Sequence, residues 1–90
     1  VSIEDKIKAL LKELNFKKIL INNTTVYRSS NEMYLKVTFL IDLESYVLEY
    51  ADNYEEAEKN LFEDGDLFPI SMDEIELIYK MRDEILKNLN

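Results

Sequence analysis

Ninety residues suffice for one domain, residues 1–90, and are too few for two. The chain has no cysteine and no histidine, which removes disulfides, thiol nucleophiles, Cys/His metal sites and histidine acid–base chemistry. Its net charge of −8 is uneven: residues 1–41 carry seven Lys/Arg against four Asp/Glu, residues 42–90 four against fifteen, so the second half repels a nucleic-acid backbone and suits a basic partner.

Ser2 opens a helix predicted to run to Leu14, with Asp5 three residues beyond the cap. Ile3, Ile7, Leu10, Leu11 and Leu14 form its apolar stripe, and Asn15 is its left-handed terminator. Residues 17–28 read as strand, interrupted by Asn22-Asn23-Thr24-Thr25, which fits a bulge, a bend or a hairpin turn equally. Residues 29–32 are a turn leading into the densest apolar stretch, residues 33–51. From Met33 to Ile41 the period is two, which puts Leu35, Val37, Phe39 and Ile41 on one side, with Phe39 as the expected core anchor. Tyr34, Lys36, Thr38 and Leu40 take the other side, expected to be a solvated face that Tyr34 and Leu40 allow to be covered in part.

Residues 43–63 support two readings. In the preferred one the chain turns at residues 42–45, returns as a strand through Ala51, and enters a helix capped by Asn53 that ends at Phe62. In the alternative a single helix covers 43–63, because Leu43, Tyr46, Val47, Tyr50, Tyr54, Ala57 and Leu61 share a stripe. Gly65 is expected to terminate the helix, followed by an extended linker through Pro69. Ser71, with Glu74 three residues on, is the expected cap of the last helix. Its predicted buried stripe is Ile75, Ile78, Ile85, Leu86 and Leu89, with Arg82 among them and Leu77 and Met81 off it.

The predicted fold is α+β: a small antiparallel three-stranded sheet packed by helices, in the order α-β-β-β-α-α, or α-β-β-α-α in the long-helix alternative. This order, the length and the acidity resemble one family of phage-encoded anti-CRISPR inhibitors, small acidic proteins that occupy the site where a CRISPR nuclease reads duplex DNA beside its target. The resemblance is one of layout; no family motif is matched residue by residue, and no site residue is carried over.

The residues offer little chemistry. Glu63-Asp64-Gly65-Asp66 lacks the ligand alternation of a calcium loop and reads as a solvated helix end, so no metal or cofactor is expected. Asp66, Asp73, Glu74 and Glu76 need a pocket to become an acid–base pair, and Ser71 needs a base beside it, so no catalytic residue is assigned and the protein is expected not to be an enzyme. One glycine excludes a glycine-rich phosphate loop. No apolar run approaches a membrane span, and the charged start from Glu4 carries no signal peptide, so a cytoplasmic protein is expected, without membrane association.

The leading functional reading is a protein–protein interaction module that meets a basic protein surface through Glu55, Glu56, Glu58, Glu63, Asp64 and Asp66, with Tyr50 or Tyr54 as aromatic anchor. The alternatives are a homodimer using Leu77 and Met81, and an inhibitor, immunity factor or DNA mimic. Direct binding to DNA or RNA is not expected: Lys6, Lys8, Lys12, Lys17 and Lys18 are interleaved with Glu4, Asp5 and Glu13.

Overall fold

A computed structural model describes residues 2–89. Helix α1 (Ile3–Glu13) is capped by the Ser2 hydroxyl, which accepts from the Asp5 N–H, and the chain leaves it through Asn15 at φ 66°. Strands β1 (Lys17–Ile21) and β2 (Thr24–Arg28) form a tight hairpin. Asn22 and Asn23 both take positive φ, which asparagine tolerates better than most residues and a two-residue hairpin turn requires. Of the three readings of this segment, the hairpin turn is the one found. Strand β3 (Tyr34–Leu40) passes through a one-turn 3-10 segment, Ile41–Leu43, and a left-handed Glu44 into β4 (Ser45–Ala51).

The long-helix alternative therefore fails: residues 45–51 pair along β3, with Leu35, Val37 and Phe39 opposite Tyr50, Leu48 and Tyr46. Asn53 caps a helix as expected, but α2 (Tyr54–Glu58) is only five residues long. Its terminator is Asn60, not Gly65. Asn60 sits at φ 59°, and the Leu61 N–H reaches back to the Glu56 carbonyl at 2.8 Å, a six-to-one closure that reverses the chain. The chain then runs as β5 (Glu63–Pro69) beside β4, with Tyr46 opposite Phe68 and an irregularity between Val47 and Glu49. Helix α3 (Glu74–Leu89) starts later than predicted: Asp73, not Ser71, supplies the cap, accepting from the Glu76 N–H.

The sheet is thus a five-stranded antiparallel meander in the order β1-β2-β3-β4-β5 with three helices, not a three-stranded sheet. The α+β class stands and the strand count does not. Two strands were hidden, one because 17–28 is a hairpin and one because an acid-rich segment pairs with β4. The α-β-β-β-α-α order on which the anti-CRISPR resemblance rested is absent.

Helices α1 and α3 cover one face. Ile7, Leu10 and Leu11 of α1 and Leu77, Met81 and Ile85 of α3 meet Leu35, Tyr46, Leu48, Tyr50 and Phe68 of the sheet. Leu77 and Met81, predicted off the stripe, are therefore in the core, and Ile75 and Leu86, 80% and 42% exposed, are outside it; Ile85 is buried as predicted, with Ile78 and Leu89 packed against the core. Phe39 is not a core anchor; at the open end near the β3–β4 turn it packs against Tyr46 and stays 41% exposed. The opposite face is less bare than expected: Ile21, Val26, Tyr34 and Ala51 form a second small core under Ala57 of α2, with Phe62 packed against it.

Candidate functional site

The local structure of residues 50–64 gathers carboxylates. The Asn53 side chain accepts from the Glu56 N–H at 2.8 Å, and the Glu56 carboxylate accepts from the Asp52 N–H at 3.1 Å, a reciprocal cap that holds Glu56 over the end of β4. The reversal at Asn60 then delivers Leu61 and Phe62 to the start of β5, where Glu63 pairs with Tyr50 and Asp64 with Glu49. Between these segments lies a groove of about 520 Å³ whose walls include Asp52, Glu56, Glu63 and Asp64, with Leu61 and Phe62 as its apolar side. Among the described residues no Lys or Arg lines it. Four acids from three segments beside low-dielectric walls focus a negative potential into the groove.

Behind the groove, β5 is tied to α3 through Glu84. Tyr50 donates its phenolic hydrogen to one Glu84 oxygen at 2.5 Å, and the Asp66 N–H donates to the other at 2.6 Å. Burial, then the hydrogen bond to Glu84 and the charges of Glu84 and Asp66, push the Tyr50 phenol well above its ordinary range, so the hydroxyl is a donor at any physiological pH. Gly65 leaves the Glu84 carboxylate its place: a Cβ built on it would stand 2.5 Å from a Glu84 oxygen, so the carboxylate would have to move off its two partners.

Comparison with protein-family models, with curated proteins and with solved structures returns no match.

Of the predicted contact residues, Tyr50, Glu56, Glu63 and Asp64 come together at the groove. Tyr50 is buried with its hydroxyl engaged, so it forms the floor and is not an anchor for a partner. Asp66 lines a neighbouring hollow with Lys80 and Lys87. Tyr54 sits apart, its ring edge-on to Tyr34 at 6.0 Å and 49% exposed. Glu55 pairs with Lys59, and Glu58 is exposed while its carbonyl accepts from the Asn22 side chain. Sequence reasoning missed Asp52, Leu61, Phe62, Gly65 and Asn88 as groove residues. The Asp52-Asn53 pair was legible as a capping signal, but placing Phe62 and Asn88 beside it required knowing that β5 is a strand.

The acids weighed for catalysis are engaged elsewhere: Asp73 caps α3, Glu74 pairs with Lys6 at 2.7 Å and Glu76 with Lys80 at 3.2 Å. Glu63, Asp64 and Asp66 lie along an extended strand, which spreads them where a calcium loop would converge them. Among the described residues no group of three His, Cys, Asp or Glu is placed to hold a metal ion, and no helix is long and apolar enough to cross a membrane.

Proposed function

We propose that this chain is a non-enzymatic binding module whose acidic groove receives Lys or Arg side chains from a basic protein surface. The observation that carries the reading is that Asp52, Glu56, Glu63 and Asp64 line one concave surface whose lining, among the described residues, includes no Lys or Arg. Elsewhere the acids of this chain are often neutralised locally, as Glu13, Glu55, Glu74, Glu76 and Asp83 are by Lys or Arg. An unneutralised concave cluster favours a cationic visitor and speeds its approach. Leu61, exposed in the wall, offers the methylenes of a long basic side chain an apolar surface, whereas the Phe62 ring already carries Lys36 of this chain 4.4 Å from its centroid. A chain without His or Cys fits recognition better than turnover. The test is capture from extracts of the source cell with the wild type and with an Asp52→Asn/Glu63→Gln/Asp64→Asn variant. Loss of one basic protein from the variant supports the groove; an unchanged set of captured proteins contradicts it.

A second reading, self-association through α3, keeps a specific observation in its favour, although not the one the sequence suggested. Leu77 and Met81 are consumed by the core, but Ile75, Tyr79 and Leu86 remain exposed on α3 at spacings of four and seven residues. A twofold contact would cover this stripe. Sedimentation at micromolar concentration decides: a dimer supports the contact, and a single monomeric species rules it out.

A further inference from the structure

Strand pairing sets Lys17 of β1 directly opposite Arg28 of β2. Both side chains line one hollow of about 570 Å³ at the open end of the first hairpin. Like charges facing each other across a strand pair destabilise the sheet. A single edge lysine protects a sheet from pairing with another chain, but that role does not ask for two cations sharing one hollow.

The rest of the molecule treats its cations differently. Lys6, Lys59, Lys80, Arg82 and Lys87 each hold a carboxylate within 4.0 Å. Lys36 donates to the Asn60 side chain and lies over the Phe62 ring. Among the described residues Lys17 and Arg28 have no carboxylate within that distance, Glu32 of the same hollow included, although acids outnumber bases 19 to 11. Lys8, Lys12 and Lys18 share this lack and, like Lys17, are exposed, but neither they nor any other cation of the described residues lines the hollow, where Lys17 faces the half-buried Arg28.

The loop that closes the hollow is fixed in place. Ser29 is buried; its hydroxyl donates to the Asn31 side-chain oxygen at 2.5 Å and accepts from the Met33 N–H at 2.9 Å. Asn31 donates in turn to the Leu89 carbonyl at 3.1 Å, which pins the loop to the end of α3. The Glu32 N–H closes on the Ser29 carbonyl, with Glu32 at φ 63°. The backbone N–H groups of Ser30 and Asn31 are left with no protein acceptor among the described residues.

We infer that this hollow binds an oxyanion, the phosphate group of a small molecule, between the Lys17 ammonium and the Arg28 guanidinium. The guanidinium offers a fork that matches two oxygens of one phosphate, and the lysine supplies a point charge from the opposite strand. Ser30 and Asn31 line the same hollow, and the Ser30 hydroxyl and their backbone amides are further donors in its wall. A bound dianion removes the repulsion that the register builds in. The net charge of −8 restricts the ligand to a small one, because a polyphosphate backbone meets repulsion from the rest of the molecule. The inference is independent of the acidic groove, which lies at β4 and β5.

The test is an amide NMR titration of the chain with sodium phosphate, at ionic strength held constant with sodium chloride, and a parallel titration with adenosine monophosphate. The expected result is saturable shifts centred on Lys17, Arg28, Ser30 and Asn31, with affinity weakened about tenfold or more in Arg28→Gln and in Lys17→Gln. The Lys8→Gln/Lys12→Gln variant keeps wild-type affinity. Equal affinity for the two ligands assigns the site to phosphate alone, tighter nucleotide binding assigns it to a phosphate on a carrier, and both support the inference. Shifts that never saturate, that chloride reproduces, or that survive Arg28→Gln and Lys17→Gln unchanged overturn it. So does a DNA duplex that binds more tightly than either small ligand.

Discussion

Glu84 is where a single residue organises most. Its two oxygens take the Tyr50 hydroxyl from β4 and the Asp66 N–H from β5, so one carboxylate of α3 fastens two strands. Gly65 leaves it the room to do so. A Gly65→Ala change displaces that carboxylate and is expected to cost about 1–3 kcal/mol by urea unfolding. The loss shrinks in a Glu84→Ala background, because the group that clashes is gone; an undiminished loss contradicts the assignment. Tyr50 gives a pH prediction of definite sign. Its phenol is raised by burial first, then by the hydrogen bond to Glu84, so the folded chain keeps a proton that the unfolded chain releases near pH 10. The associated stability is fully present below about pH 10 and declines as pH rises above it. Unfolding measured from pH 8 to 11 is expected to show a steeper alkaline loss for the wild type than for Tyr50→Phe; parallel curves contradict this. None of these three roles is visible in the sequence, where a glycine after an acidic helix looks like a helix end.

At the scale of elements, legibility followed how far each segment decides its own structure. Helix α1 was readable because its one apolar stripe, its serine cap and its left-handed asparagine agree. Helix α3 was not, because its apolar residues surround the helix and several stripes can be drawn; the position of α1 and the sheet selects Leu77, Met81 and Ile85. Alanine at Met81 or Leu77 is therefore expected to cost about 2–5 kcal/mol. Alanine at Ile75 or Tyr79, 80% and 69% exposed, is expected to stay within about 0.5 kcal/mol. Equal losses at the two pairs in chemical denaturation contradict this packing. Strand β5 is the clearest tertiary override: Glu63, Asp64, Gly65 and Asp66 have poor strand propensity. They are extended because β4 offers an edge to pair with and Phe68 fills the core beneath it. The hairpin at Asn22-Asn23 was present in the letters, yet without a glycine it competed with a bulge and a bend.

Across the whole molecule, the meander turns a charge difference along the chain into one across space. The basic half supplies the β1 edge with Lys17 and Lys18, and the acidic half supplies the β5 edge with Glu63, Asp64 and Asp66. Four interstrand spacings, roughly 19 Å, separate them. The imbalance was legible from composition; its layout was not, because it depends on the strand order. A fluorescent DNA duplex is expected to show no saturable micromolar binding at about 50 mM salt, as acidic surface dominates at range; saturation that fell steeply with added salt contradicts this. The central claim, that the groove at Asp52, Glu56, Glu63 and Asp64 is a receptor for basic side chains, is tested most directly by an amide NMR titration with a short arginine-rich peptide. Saturable shifts concentrated at residues 50–52 and 62–65, weakened by salt and lost in Asp52→Asn/Glu63→Gln/Asp64→Asn, are expected. Shifts spread evenly over the acids of α3, or unchanged in that variant, contradict it.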